Sequence, residues 1–295
     1  MKSDIVLYLI LFFGVFSLST SAIFVRLANA PSAITAFFRL FFAALFLLPF
    51  LLSGREGRHQ LKNLSKRQWL LGILSGLLLS SHYMLWFESL KYTSVASSTV
   101  IVTLQPLFSI AIGRFILKER YHKLAIGGCF VAVLGCFLIG WGDLQINLQA
   151  LLGDLMAFIA AGFISVYFFL GQAMRKDLSA VPYSAVSYFS SSLFLACYAL
   201  LLQNPFAGYS AATWLAFLGL ALISTICGQF IFNWLLKWLP VTVISMSILG
   251  ETIGTCILAY FILNEKLTLQ QGVGIGVIFL GLAMFFLSPK QINEG

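Results

Sequence analysis

The polar side chains that could carry chemistry in this sequence lie inside long apolar segments. Glu251 lies about ten residues into segment 241–263, and Gln105 lies about twelve residues into segment 94–117. At about 1.5 Å per helical residue, Glu251 is about 15 Å deep, close to the middle of a bilayer. Polar groups at that depth are costly, so they generally face a protein interior or a water-filled cavity. The two side chains therefore predict a polar site at the centre of a membrane domain.

Glu251 is the carboxyl group that the sequence places deep in the membrane. Loss of hydration favours the neutral form of such a group, so Glu251 could bind a substrate ammonium group or carry a proton. The alternative is a structural ion pair. Arg39 is predicted about 12 Å deep in segment 32–53, and its charge would instead favour the ionised carboxylate. Both alternatives stay open on the sequence alone.

A group of aromatic residues lies at similar depth in segment 68–90. His82 is predicted about 12 Å deep, and Tyr83 and Trp86 follow it after one and four residues. Side chains four residues apart share a helix face, so His82 and Trp86 point the same way. Such rings could stack on a flat or apolar substrate or hold a cation. For His82, a hydrogen-bonded interior histidine and a site or proton-relay residue are both open.

Two amides and a proline complete the set of candidate residues. Gln229 and Asn233 in segment 212–236 are four residues apart and share a helix face. They are candidates for the site, and the alternative for both is a hydrogen bond between helices. Pro106 stands next to Gln105. Because proline cannot donate a backbone hydrogen bond, it predicts a kink that could widen a cavity.

The elements that must position these residues are transmembrane helices. The 295-residue chain is 60% hydrophobic and 9% charged, whereas soluble domains carry roughly 25% charged residues. One membrane span needs about 20 apolar residues, and the sequence has ten such segments. The predicted helices are 5–28, 32–53, 68–90, 94–117, 122–141, 150–173, 180–202, 212–236, 241–263 and 268–288.

Lysine and arginine residues in the loops predict the orientation of these helices. With the N-terminus inside, thirteen basic residues fall in inner segments and two, Lys91 and Lys266, fall in outer loops. Because inner loops are enriched in Lys and Arg, both termini are predicted to be cytoplasmic. The net charge of +8 forms no basic stripe or arm, so nucleic-acid binding is not expected.

The two halves of the sequence resemble each other at an offset of 146 residues. Segment 115–120 reads FILKER and segment 261–266 reads FILNEK, and glycines are in register beyond both. The predicted domains are residues 1–146 and residues 147–295, each holding five helices.

An odd number of helices in each half inverts the second half relative to the first. Gln105 and Glu251 then occupy equivalent positions on an inverted pair of helices. Inverted repeats commonly hold a substrate near the midplane at their interface and expose it to alternate sides. The repeat therefore favours a secondary transporter.

Other classes of function lack the residues that they need. The sequence has one deep histidine and one deep carboxylate, and no catalytic triad, metal cluster or phosphate-binding loop. An enzyme, a metal site, another cofactor and ATP-driven transport by this chain alone are therefore not expected. No selectivity ring or continuous polar helix face indicates a channel. The five cysteines lie in apolar segments, so disulfides are not predicted.

Several motifs together resemble the EamA-like family of the drug/metabolite transporter superfamily over nearly the whole chain. They are LKYTSVA at 90–96, Pro106 in the fourth helix, LKER at 117–120, a glycine-rich fifth helix and FILNEK at 261–266. The resemblance implies an all-α integral membrane protein with ten helices in two inverted halves. It also implies a central cavity lined by helices one, three, four, six, eight and nine.

Members of this family typically export amino acids and other small metabolites, and some import them. We therefore expect alternating-access export of small metabolites such as amino acids across the cytoplasmic membrane, coupled to protons through Glu251. A facilitated-diffusion carrier, an importer of another small metabolite or drug, a membrane-embedded enzyme and a non-transporting scaffold are the alternatives. The expected partners are a small-molecule substrate, protons and the lipid bilayer, and a homodimer could form.

Overall fold

The structure is a computed structural model that describes residues 4–93, 95–141, 148–263 and 268–289. Every regular element in these residues is helical. The elements are α1 (Asp4–Ser19), α2 (Ser21–Leu27), α3 (Ser32–Ser53), α4 (Arg55–Lys62), α5 (Lys66–Ser89), α6 (Val95–Val102), α7 (Gln105–Phe115), α8 (Lys123–Trp141), α9 (Leu148–Met174), α10 (Ala180–Leu201), α11 (Ala211–Gly219), a π-helical segment (Leu220–Gln229), α12 (Phe230–Leu235), α13 (Val241–Leu263) and α14 (Leu269–Phe286).

Eight helical segments among the described residues are long and apolar enough to cross a membrane. Two further apolar stretches, Lys123–Leu138 in α8 and Gly272–Phe286 in α14, are shorter. The protein is therefore an all-helical, multi-pass membrane protein. The eight long segments are Ile5–Leu27, Ser32–Ser53, Lys66–Ser89, Ser97–Phe115, Leu148–Met174, Ala180–Leu201, Ala211–Leu235 and Val241–Ile262.

Part of the sequence evidence lies outside the described residues. Lys2, Lys266 and Lys290, which contribute to the predicted orientation, belong to this part, and so does the end of the FILNEK motif at 264–266.

Three of the predicted helices are interrupted. The first is divided at Thr20, and the eighth contains the π-helical segment Leu220–Gln229. The fourth is divided at Thr103 and Leu104, and Pro106 lies in the first turn of the helix that follows. A proline is tolerated there because its missing N–H would have no partner inside the helix. At these interruptions the backbone departs from the regular α-helical hydrogen-bond pattern. They lie towards the middle of the membrane domain, where polar side chains also lie.

α8 and α14, the last helices of the two repeats, cross at a seam of glycines. A Cβ atom on Gly128 would lie 2.6 Å from the Gly281 carbonyl oxygen, and one on Gly135 would lie 2.7 Å from the Gly274 carbonyl oxygen. Only glycine allows backbones to approach this closely. In the repeat, Gly128 corresponds to Gly274 and Gly135 to Gly281. Gly128 thus meets the equivalent of Gly135, and Gly135 meets the equivalent of Gly128. The two helices therefore run antiparallel, as expected for two inverted halves related by a two-fold axis.

The glycine seam provides a matched test of this crossing. A Cβ atom on Gly281 would lie 2.4 Å from the Ala132 backbone nitrogen, whereas one on Gly276, in the same helix, meets nothing within 4 Å. We expect Gly281→Ala to destabilise the protein by about 1–3 kcal/mol through overpacking, and Gly276→Ala to leave stability unchanged. Thermal unfolding in detergent, followed by size-exclusion chromatography, measures both. Equal midpoints for the two variants would contradict the close crossing.

Candidate functional site

Six of the predicted spans meet around a small buried cavity in the middle of the domain. Its volume is about 10 Å³, which is roughly the space that one water molecule requires. The lining side chains are Leu18, His82, Tyr83, Trp86, Val102, Gln105, Ile164, Phe168, Gln229, Ile248 and Glu251. They come from the predicted spans one, three, four, six, eight and nine, counted as in the sequence analysis. This is the set that the family resemblance implies. We call this space the central cavity.

Polar atoms without partners converge on the central cavity. Within the described residues, five of its lining side chains each have a buried atom that makes no hydrogen bond: Tyr83 Oη, Trp86 Nε1, Gln105 Oε1, Gln229 Nε2 and Glu251 Oε1. Buried polar atoms in proteins are almost always hydrogen-bonded. A cluster of side chains with unpaired donors and acceptors around one cavity is therefore typical of a site that a polar ligand completes.

Gln105 and Glu251, equivalent in the repeat, line the same cavity because α7 and α13 cross beside it. Two pairs of hydroxyl groups join the fourth and ninth spans, one of them at the interruption before α7. The Thr103 and Thr252 side-chain oxygens are 3.1 Å apart, and those of Ser109 and Ser245 are 2.7 Å apart. Residue numbers increase from Thr103 to Ser109 on one span while those of their partners decrease from Thr252 to Ser245 on the other. The two spans are therefore antiparallel. The two halves thus touch directly at the site.

His82 lines the cavity and is anchored to the sixth span. Its Nδ1 atom is 2.9 Å from the Ala160 carbonyl oxygen. Since a carbonyl oxygen can only accept, Nδ1 carries the hydrogen. The His82 ring stacks on Trp86 at a centroid distance of 5.9 Å. This hydrogen bond fits the interior-histidine alternative, and the ring also lies on the cavity wall beside Trp86.

Arg39 does not line the central cavity and does not pair with Glu251. Among the described residues, the ion pair found within 4.0 Å joins Lys91 to Glu88. The structural ion pair of Arg39 with Glu251, one of the two alternatives that the sequence leaves open, is therefore not present as a direct contact among the described residues. The two groups are still close enough to interact electrostatically.

The Arg39 guanidinium is instead held by neutral groups. Its Nε atom donates to Thr225 Oγ1 at 2.9 Å, and one terminal nitrogen donates to Ser21 Oγ at 2.5 Å. The guanidinium carbon lies 4.1 Å from the centroid of the Tyr83 ring, a cation–π contact. Ser21 follows the interruption of the first span and Thr225 lies in the π-helical segment. The irregular backbone thus supplies the hydroxyl groups that stabilise this buried cation.

Asn233 also lies outside the central cavity. Its Nδ2 atom is within hydrogen-bonding distance of Tyr167 Oη at 2.7 Å, Ser184 Oγ at 3.0 Å and Tyr188 Oη at 3.3 Å. These residues belong to the sixth and seventh spans, so Asn233 joins three helices. The alternative of an interhelical hydrogen bond describes Asn233, whereas Gln229, one turn earlier, faces the cavity.

Sequence reasoning did not identify the apolar walls of the cavity or the partners of Arg39. Leu18, Ile164 and Phe168 line the cavity but are ordinary residues of apolar segments, and no pattern separates them from lipid-facing neighbours. Ser21 and Thr225 gave a weak signal, since they are hydroxyl residues inside spans. Within the described residues, no group of three or more His, Cys, Asp and Glu is placed to hold a metal ion.

The contrast between Gln229 and Asn233 leads to a paired prediction. Asn233→Leu removes the amide group that lies within hydrogen-bonding distance of three buried hydroxyl groups, and we expect a loss of about 1–3 kcal/mol in stability. Gln229→Leu removes an amide nitrogen that has no hydrogen-bond partner among the described residues, so stability should change little. Its cost should fall on ligand binding, with an apparent affinity weakened about tenfold, the equivalent of one hydrogen bond. Thermal unfolding and concentration-dependent uptake separate the two effects, and the reverse assignment would contradict the structure.

Comparisons with known proteins identify the same repeat. The profile of the EamA-like transporter family matches residues 5–141 and again residues 151–287. Both ends of the second match lie 146 residues beyond those of the first, which is the offset of the sequence repeat.

Individual proteins resemble the chain over most of its length. It is 25% identical over 258 residues to the Uncharacterized transporter YxxF of Bacillus subtilis (strain 168), with 87% of this chain and 81% of that protein covered. It is 23% identical over 261 residues to an uncharacterized transporter of Archaeoglobus fulgidus, with 87% of each covered. A solved crystal structure of a protein superposes with a TM-score of 0.78 at 18% identity, covering 96% of both chains. This last likeness shows a shared fold.

Proposed function

Because the chain belongs to the EamA-like transporter family, we propose that this transporter exports small metabolites such as amino acids across the cytoplasmic membrane by alternating access. The proposed topology has ten spans with both termini in the cytoplasm. The observation that carries the proposal is the central cavity, where five lining side chains from both repeats each have a buried polar atom without a hydrogen-bond partner among the described residues.

The chemistry of those atoms favours a zwitterionic substrate. Glu251 Oε1 and Gln105 Oε1 are acceptors that suit an ammonium group. Trp86 Nε1 and Gln229 Nε2 are donors that suit a carboxylate, and Tyr83 Oη can act in either way. Apolar walls beside them would hold an aliphatic or aromatic substituent. An amino acid supplies all three features, whereas a purely cationic or anionic molecule would leave half of the polar atoms unpaired.

The size of the central cavity favours a conformational cycle. A space for about one water molecule is too small for an amino acid, so the two halves must separate for loading. A second cavity of about 360 Å³ lies among the ends of α8, α13 and α14, on the cytoplasmic side in the proposed topology. Along α13, Val243 lines this cytoplasmic-side cavity and Ile248 lines the central cavity. Ser245, between them, contacts Ser109, so this pair would close the cytoplasmic path.

Proton coupling is assigned to Glu251. A proton on this carboxyl group would compete with a substrate ammonium group for the same oxygen atoms, which links proton entry to substrate exit. A carrier without coupling would need no titratable group at this position. Downhill flux with no dependence on a pH gradient is the result expected for that alternative.

The test is transport by the purified protein in proteoliposomes. Radiolabelled amino acids, nucleosides and cationic drugs are supplied singly, with and without an imposed pH gradient. We expect saturable flux of one or more amino acids that an inward-directed proton gradient drives in the opposite direction. Saturable flux of nucleosides or drugs only would overturn the substrate class, and chemical conversion of a substrate would overturn the transporter assignment.

A further inference from the structure

A third cavity faces the lipid side of the protein, away from the central cavity. It is a groove of about 260 Å³ between α3 and α10, and its accessible lining is almost wholly apolar. Phe41 and Leu51 of α3, Phe189 of α10, Leu61 of α4 and Trp69 of α5 are among its walls. It shares no lining residue with the central cavity. Its occupant in a membrane has to be apolar along this length.

The length of the groove matches one leaflet of a bilayer. Phe41 and Leu51 are ten residues apart on one helix, so the groove extends for about 15 Å. The hydrocarbon core is about 30 Å thick, and each leaflet contributes about half of it. A single acyl chain that runs from the membrane surface towards the midplane would therefore fill the groove from end to end.

One end of the groove is bordered by a basic helix. Leu61 of α4 lines the groove. Arg58 precedes it by three residues, Lys62 follows it directly, and both are exposed. Side chains three and four residues apart are neighbours on a helix surface, so Arg58, Leu61 and Lys62 lie together. Arg55, Lys66 and Arg67 are also exposed nearby in the chain. One acidic residue of this stretch, Glu56, is hydrogen-bonded to Gln60.

α4 is held in place at the mouth of the groove. The Gln60 Oε1 atom accepts hydrogen bonds from the Ser179 backbone nitrogen at 2.9 Å and from the Ser179 hydroxyl group at 2.8 Å. Ser179 is the residue before α10, which forms one wall of the groove. The basic side chains of α4 are therefore presented by an anchored helix and not by a free loop. Trp69 is 42% exposed at the same end, as suits an indole at the membrane interface.

We infer that the groove binds one anionic phospholipid, with an acyl chain between α3 and α10 and the phosphate group at Arg58 and Lys62. Basic residues next to the membrane surface attract anionic lipids by about 1 kcal/mol each. Two such residues give a preference of about 10- to 30-fold over a zwitterionic lipid of equal chain length. The site is independent of the transported substrate and requires only that the protein is embedded in a membrane.

Fluorescence quenching of Trp69 tests this inference in the full-length protein. The protein is reconstituted in vesicles of phosphatidylcholine that contain brominated phosphatidylglycerol or brominated phosphatidylcholine, with bromine near the headgroup end of the chain. The Trp69 signal is the difference between the protein and Trp69→Phe. We expect half-maximal quenching at about 10-fold lower mole fraction of the brominated phosphatidylglycerol.

Two variants test the contact with the lipid headgroup and the contact with the acyl chain separately, and a third variant is the control for lost charge. Arg58→Gln with Lys62→Gln should remove the preference for phosphatidylglycerol, whereas Lys123→Gln with Lys237→Gln, which removes two exposed charges elsewhere, should retain it. Ala44→Phe, in the groove wall, should lower Trp69 quenching by both lipids and leave the α4 charges in place. Size-exclusion profiles establish that each variant is folded.

Two results would overturn the inference. Equal quenching by both lipids in the unmodified protein would mean that the groove holds ordinary surrounding lipid. Protection of Trp69 from both lipids, increasing with protein density in the membrane, would mean that a second copy of the chain covers the groove.

Discussion

Replacing Glu251 with Gln is expected to abolish transport driven by a pH gradient while leaving the protein folded. The side chain lies buried on the wall of the central cavity, and its Oε1 atom has no hydrogen-bond partner among the described residues. Glutamine has the same shape but cannot exchange a proton. Because the carboxyl group is also the acceptor proposed for the substrate ammonium group, loss of this charged contact should weaken binding by at least about 30-fold.

Two further measurements make the Glu251 result specific. Glu88→Gln removes a partly exposed carboxylate that pairs with Lys91 at 2.8 Å, and this control should transport normally. Exchange of labelled for unlabelled substrate, without a gradient, separates the two proposed roles of Glu251. If exchange survives in Glu251→Gln, the role of Glu251 is to carry the proton. If exchange is lost, Glu251 contacts the substrate ammonium group. Undiminished gradient-driven flux would contradict both roles.

A disulfide between positions 109 and 245 is expected to stop transport reversibly. The Ser109 and Ser245 hydroxyl groups are 2.7 Å apart and belong to opposite repeats. Cysteines at these positions would lie close enough for a disulfide, whose Cβ atoms are about 3.5–4.5 Å apart. Since alternating access requires the two halves to separate at this contact, the cross-linked protein should lose nearly all flux, and a reducing agent should restore it.

The controls for the cross-link are the two single cysteine variants. Each should transport normally under the oxidant, which is copper phenanthroline. The exposed native Cys197 is replaced by Ala in all of them, so that it cannot join two protein molecules. Full flux through a protein whose cross-link is verified by mass spectrometry would contradict the proposed movement of the halves. Rapid inhibition of either single variant would instead identify an unrelated thiol effect.

The repeat and the depth of polar residues were accessible from the sequence because both are one-dimensional properties. Residue spacing along a span gives depth directly, since every residue advances about 1.5 Å along the helix axis. An offset of 146 residues pairs Gln105 with Glu251, and the structure brings these two residues to one cavity. His82, Tyr83, Trp86 and Gln229 line the same cavity.

The rotation of each helix and the choice of its neighbours were not accessible in this way. Asn233 shares a helix face with Gln229 in an ideal α-helix, but it hydrogen-bonds to Tyr167 and Ser184 outside the cavity. Regular α-helix, Phe230–Leu235, connects the two residues, so they differ because successive turns meet different neighbouring helices, which sequence spacing alone does not indicate. Whether Arg39 and Glu251 are in direct contact was open on the sequence for a related reason. Equal depth does not decide which helix stands between two side chains.

The sequence by itself determined that this protein is an all-helical membrane protein built from two similar halves, with polar groups near the membrane midplane. Hydrophobic segment length and internal similarity are carried by the order of residues, so they need no knowledge of contacts. Tertiary structure alone decided which polar groups share a cavity, which hydroxyl groups stabilise Arg39 and where the two halves touch. Those outcomes depend on helix rotation, local irregularities and packing, which arise only when all the helices are assembled.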